Sequence, residues 1–286
     1  MTLSDLVSGV LLGGFYALIA LGLSLVFGVL KMVNLAHGEL VIGGGYLAVA
    51  LADQAGLSPL QSAPIVVVIV AVIAYVVQRG LLNPLLVRGA NGPLVATFGL
   101  GLLAQALFTA AFSSNPRSVR SSLATAGFEV GGVQVRTAYA VGFVLAAIVC
   151  TLTHLVLTRT RAGATVRAAA ADPATAELMG INVRNVYAVT FASATAISAI
   201  GGVLVASTFS ISPTSGAEYL LIGFAVIVLG GVGNIAGTFV GALVIGVAQT
   251  AGGAYLGGGY RTLTIYLLLL VVLVARPQGL FTKRLA

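Results

Sequence analysis

Charge is scarce in this sequence: Asp, Glu, Lys and Arg make up only 7% of its 286 residues, while 59% are apolar. A soluble domain of this length needs far more polar surface, so a water-soluble fold is excluded and lipid is the expected solvent. Cysteine is represented by Cys150 alone, inside an apolar run, which excludes an intrachain disulfide and leaves a packing role. Lysine occurs only as Lys31 and Lys283, and neither ends a Gly-x-x-x-x-Gly-Lys loop, so no ATPase site of that type is present. Two histidines and seven acidic residues, mostly between apolar runs, do not supply the convergent set that an intramembrane enzyme would use. A cluster of intramembrane carboxylates suited to proton or sodium coupling is also lacking. No catalytic residue, metal ligand or bound cofactor is therefore expected in this chain.

What is abundant is the apolar run. A bilayer core of roughly 30 Å takes about 20 helical residues at about 1.5 Å each. Runs such as 65–77 and 267–274 do not alternate polar with apolar, which selects helices over a closed barrel. Breaks at Gly, Pro and charge clusters predict helices near 6–30, 35–52, 61–82, 94–112, 138–157, 186–207, 217–230, 236–252 and 261–275. The pair between 217 and 252 reads either as two spans or as one broken or re-entrant element. The expected fold class is all-α, a polytopic bundle of about eight or nine membrane helices. Asp5, with no Lys or Arg before the first apolar run, predicts a retained first helix rather than a cleaved leader. No fixed repeat of 20 to 50 residues and no Pro- or Ser-rich linker divides the chain, so residues 1–286 read as one domain.

The formal net charge of +7 reports topology rather than nucleic-acid binding. If the first helix runs inward, one side receives Lys31, Arg79, Arg88, Arg159, Arg161, Arg167, Arg184, Arg276, Lys283 and Arg284. The other receives Arg117, Arg120, Arg136 and Arg261. The positive-inside rule then places the N-terminus outside and the C-terminus in the cytoplasm, a parity that nine crossings satisfy.

The longest segment on the basic side, about 158–185, carries helix signals. Asp172 suits an N-cap, Pro173 the first helical position, and Gly180 the left-handed residue past the end. Residues 173–179 read as a short helix, with Ala174 and Leu178 four apart and Ile181 beyond them forming an apolar knob. That knob fits either a partner's groove or the lipid headgroup layer.

Ionisable groups near the membrane are expensive. Asn34 is expected to N-cap the second helix, placing His37 and Glu39 in its first turn, where the helix dipole favours Glu39 and free backbone donors face outward. Such a helix start can line a solute path; the competing reading is an interfacial turn with Glu39 near Lys31. Thr190, Ser193 and Ser198 share a small, weakly polar face of the helix near 186–207, read as close packing or pathway lining. The Gly9/Gly13 and Gly237/Gly241 pairs read as tight helix contacts. Glu218 reads as solvated at an external helix start.

Several stretches resemble, in order, the LivH-type permeases of branched-chain amino acid importers. They are Asn34-Leu35-Ala36-His37-Gly38-Glu39, Ala96-Thr97-Phe98-Gly99-Leu100, the run 161–183 (RAGATVRAAAADPATAELMGINV), the glycine-rich 229–241 and Arg276-Pro277-Gln278-Gly279-Leu280. The Glu-Ala-Ala signature of importer coupling loops is replaced here by Ala169-Ala170-Ala171 before Asp172. The resemblance implies a membrane-spanning subunit of an ATP-driven (ABC) importer in a bacterial cytoplasmic membrane. It implies that Asp172, Pro173, Ala174, Glu177, Leu178, Gly180, Ile181 and Asn182 couple to cytoplasmic ATPases. Asn34, His37, Glu39, Thr97, Thr190, Ser193 and Ser198 are the pathway candidates. Implied partners are a second related permease, two ATPase subunits holding ATP and Mg, and an extracytoplasmic binding protein, with no nucleic acid. The rival reading is a secondary transporter or channel for a small polar solute, and a further one a urea or amide permease.

Overall fold

A computed structural model of the chain describes residues 2–86, 91–119, 121, 126–130 and 132–275. The helices are α1 (Leu3–Leu30), α2 (His37–Ala55), α3 (Pro59–Val77), α4 (Asn91–Phe112), α5 (Thr137–Arg159), α6 (Arg161–Ala171), α7 (Pro173–Leu178), α8 (Val183–Thr208), α9 (Gly216–Gly230), α10 (Ile235–Tyr255) and α11 (Arg261–Ala275). A helix stands at each of the nine places where the apolar runs predict one. Seven are long and apolar enough to cross a membrane, counting α3 together with its extension to Leu86; α2 and the shorter α9 are not among them. The all-helical expectation omits an antiparallel hairpin, β1 (Gly127–Val130) with β2 (Val133–Arg136), in the connection before α5.

Two helices form the centre. The apolar windows of α1 and α8 are 83% and 78% buried, against 11–22% for α3, α4, α5 and α11, so the latter form the rim whose apolar faces lipid can cover. Small residues allow the contact: a Cβ on Gly22 would meet Ser198 and Ala194, and one on Gly201 would meet Ile19. The expected tight glycine contacts are present, with Gly9 and Gly13 against Val247 and Leu243 of α10, and Gly237 and Gly241 against Gly230 and Val226 of α9.

α1–α2 and α8–α9 are an inverted repeat. Gly22 and Gly201, Glu39 and Glu218, and Gly44 and Gly223 are paired by the same sequence offset that pairs His37 with Gly216, the first residues of α2 and α9. The contacts repeat too: Gly44 meets Ala199 of α8, and Gly223 meets Leu23 and Ile19 of α1. Because α1 and α8 cross antiparallel, the relation is a two-fold about an axis lying across the bundle. Both second helices begin at mid-depth. His37 meets the carbonyl of Ile19, near the middle of α1, and Gly216 lies against Gly38. Segments 31–36 and 209–215 lead back into the bundle from opposite ends.

At the end where α1 begins lie Arg117, paired with Asp53 at 3.6 Å, and the β-hairpin leading into α5. At the other end lie Lys31, Arg79, Arg159, Arg161, Arg167 and Arg184. There α3 passes through a π turn, Gln78–Leu82, into Asn83–Leu86, and the Asn83 amide donates to the Arg184 carbonyl at 2.8 Å. Arg88, Arg120, Arg276, Lys283 and Arg284, and the stretch Arg276–Leu280, lie outside the described residues.

Candidate functional site

The chain leaves α1 at Lys31 with a left-handed φ of 53° and turns back into the bundle without regular structure. Asn34 is buried, and its Oδ1 accepts the Ala36 N–H at 3.1 Å. The expected N-cap moves accordingly: Ala36 holds the cap position and Asn34 forms a local turn two residues earlier, because the helix starts only at His37. Leu35 N–H donates to Thr97 Oγ1 of α4 at 3.2 Å. His37 is 1% exposed, with Nε2 2.9 Å from the Ile19 carbonyl; since a carbonyl only accepts, Nε2 carries the proton. The same carbonyl accepts Ser198 Oγ at 3.1 Å. Asn34, His37, Thr97 and Ser198 are thus brought together at mid-depth, with His37 and Ser198 spent on locking α2 and α8 to α1.

Two groups of this junction, Asn34 Nδ2 and Glu39 Oε2, are buried without a hydrogen-bond partner among the described residues, and Glu39 is the ionisable one. It forms no ion pair with Lys31 among the described residues. Its carboxylate lies against Gly216 instead: a Cβ there would stand 2.3 Å from Oε1, so the space for Glu39 exists because residue 216 has no side chain. Gly38 fits the same junction, since a Cβ would meet the Gly216 carbonyl at 1.9 Å. Oε2 is buried and has no hydrogen-bond partner among the described residues, a costly state for a carboxylate unless something else satisfies it. Glu218, the repeat-related residue, is exposed and accepts from Thr262 Oγ1 of α11 at 3.2 Å. Its exposure agrees with the expectation and it reaches the start of α11, while α9 itself starts deeper than expected, with Gly216 against Gly38.

The remaining candidates on α8 separate. Thr190 is buried, whereas Ser193 is exposed and returns its hydroxyl to the Val189 carbonyl at 2.8 Å. The weakly polar stripe is therefore split between a packed face and an open one.

Between α5 and α8 the basic-end segment folds into two helices. α7 covers Pro173–Leu178, with the Asp172 carboxylate accepting from Ala174 N–H at 3.0 Å and Thr175 N–H at 3.3 Å. These bonds, and the one from the Thr175 hydroxyl above all, hold the Asp172 carboxyl below its usual range. Gly180 takes φ 82°, and Ile181 N–H returns to the Ala176 carbonyl, closing the end with a glycine cap. The apolar knob differs from the expected one. Ile181 packs with Ala169, Ala176 and Val183, while Leu178 and Met179 stand 88% and 79% exposed, because the tight glycine turn folds the chain back under α7. Ala174, Glu177 and Asn182 are exposed, and Asn182 Oδ1 caps α8 through Asn185 N–H at 3.0 Å. Met179 joins the knob in place of Ile181, and α6 is an addition to the expected segment, for which Thr160 before an alanine-rich run is a usable cap signal; its Oγ1 accepts Gly163 N–H at 3.0 Å.

The profile of the family described as branched-chain amino acid transport system / permease component matches residues 6–275. The chain belongs to this family. BraD of Pseudomonas aeruginosa, a high-affinity branched-chain amino acid transport system permease protein, is 31% identical over 98% of this chain and 96% of its own length. LivH of Escherichia coli K12, a permease protein of the same description, is 30% identical with the same coverage. A probable LivH permease of Methanocaldococcus jannaschii is 25% identical over 92% of this chain and 87% of its own. No solved structure matches significantly. As a family permease the chain is a multi-pass membrane protein and a transport component.

Proposed function

We propose that this permease moves branched-chain amino acids inward as part of an ABC importer, with energy supplied by ATPase subunits docked on α7. The observation that carries the proposal is the exposed pair Leu178 and Met179 on a helix fixed at both ends, by Asp172 and Gly180. Exposed apolar side chains on a rigid mount suit a protein groove, where they recover the burial they lack in the free chain. The helix stands on the end holding Lys31, Arg79, Arg159, Arg161, Arg167 and Arg184, which supports a cytoplasmic location, an external N-terminus and nine helices alternating in direction. ATP and Mg then belong to the ATPase subunits. A second related permease, an extracytoplasmic binding protein and a bacterial cytoplasmic membrane complete the reading, with residues 1–286 acting as one permease domain.

Solute passes the mid-depth junction, where Glu39 offers a carboxylate beside the start of α9. Its orphaned Oε2 is the polar group in the bundle best placed to meet the ammonium of an amino acid. The test is purification of the tagged chain from its native membrane in mild detergent, with Leu178→Asp, Met179→Asp as the comparison. Two ATPase subunits and a second permease should co-purify with the wild type, and the ATPases should be lost from the double variant while the permease pair persists. Retention of coupled ATPases by the variant would remove α7 as the docking element.

A further inference from the structure

At the end where α1 begins, a crevice of about 220 Å³ opens between α1, α5, α10 and α11. Arg136, at the start of α5, and Arg261, at the start of α11, face it, as does Asp5 of α1. Among the described residues the ion pair is Arg117 with Asp53, so none of these three charges is neutralised by a carboxylate or cation in contact. Arg136 is positioned: its guanidinium lies over the Tyr139 ring, 5.7 Å from the centroid, and Tyr139 itself is buried to 9% exposure in the crevice wall. Gln249 accepts the Tyr16 hydroxyl on its Oε1, so its amide NH₂ remains to donate into the space. Phe209 also lines the crevice and is the first residue of the segment that leads to Gly216.

We propose that this crevice binds a small zwitterion, with Arg136, Arg261 and the Gln249 amide on its anionic oxygens and Asp5 on its ammonium. Two planar cationic forks and one carboxylate around a small space with an aromatic wall match that charge pattern; a simple anion would leave Asp5 opposed, and a simple cation would be repelled by both arginines. Two sources carry this chemistry: a free amino acid, which rests on the permease reading above, and the phosphoethanolamine headgroup of a lipid in the adjoining leaflet.

Equilibrium binding of radiolabelled leucine is measured on the purified transporter in nanodiscs free of phosphatidylethanolamine, and in a separate preparation, with phosphatidylethanolamine added to the transporter in detergent, its adducts are counted by native mass spectrometry. Arg136→Gln, Arg261→Gln and Asp5→Asn are expected to weaken whichever ligand binds, by about tenfold each, as for loss of one charge-assisted contact. Arg136→Lys should keep part of the binding, and unchanged thermal melting shows that the variants fold. A response in the leucine arm assigns the substrate and one in the adduct arm assigns the lipid; each supports the site. Binding in neither arm, or binding insensitive to all three substitutions, overturns it. ATP-driven leucine uptake by the same preparation reports separately on the permease reading: uptake without crevice binding leaves that reading intact, and crevice binding without uptake removes it while keeping the site.

Discussion

The two halves of the inverted repeat follow the same path through the bundle but are held differently. In the first half the lead-in to α2 is pinned by side chains: His37 and Ser198 on the Ile19 carbonyl, Asn34 on Ala36 and Thr97 on Leu35. In the second half the lead-in to α9 is held by main chain, with Ile211 and Arg117 exchanging two backbone hydrogen bonds at 2.8 and 2.9 Å and Ser212 N–H donating to Ser215 Oγ at 3.0 Å, and α9 begins at Gly216 with no side chain. The glutamates differ in step, Glu39 enclosed against Gly216 and Glu218 open toward Thr262. The same backbone plan thus yields one half-depth helix tied to α1 and α4 through side chains and one tied to the connection after α4 through main-chain bonds. The difference lies in which hydrogen bonds cross between helices, since unmade bonds in lipid cannot be exchanged for water.

The most severe way to break the comparison is to fill the junction. Gly38→Val is expected to push α2 off the Gly216 carbonyl and cost about 3 kcal/mol or more, read as loss of monodisperse protein in detergent. Ala217→Val, at the position in α9 matching Gly38, should cost much less because Ala217 is exposed; equal losses would erase the distinction between the halves. Next is His37→Ala, which leaves the Ile19 carbonyl one partner short and a hole at mid-depth, for about 2 kcal/mol in a thermal melt. Glu39→Gln should lower uptake with assembly unchanged, and by more than Glu218→Gln, whose carboxylate is open and bonded to Thr262. Normal uptake by the Glu39 variant would show that its carboxylate only packs. Smallest is Asp172→Ala, expected to weaken ATPase association only slightly, through the lost cap of α7. Because the Asp172 pKa is depressed, its stabilisation is present above the normal carboxylate range and fades only as pH falls through the lowered value. ATPase association measured between about pH 8 and pH 5 should therefore not change on its account.

The spans were legible because length and hydropathy are local properties: the boundaries of α11 were read to the residue and those of α9 to within one. Helix α7 was legible for the same reason, since Asp-Pro at one end and Gly at the other each act within one turn. The hairpin at 127–136 had a usable signal, a Gly-Gly between alternating residues, that the helical reading passed over. The role of Asn34 was misplaced by two residues because several residues before a helix can satisfy its first turn.

What the amino-acid sequence determined by itself was the solvent, the helices and the caps of α7, because apolar burial, helical length and end-capping depend on residues near one another in the chain. Only the tertiary structure decided that α2 and α9 start at mid-depth, that Glu39 meets Gly216, and that Leu178 and Met179 form the exposed knob while Ile181 is packed away. Those outcomes depend on which backbone can approach which. The contact between Gly38 and Gly216 joins residues far apart in sequence, and neither glycine carries a local sign of its partner.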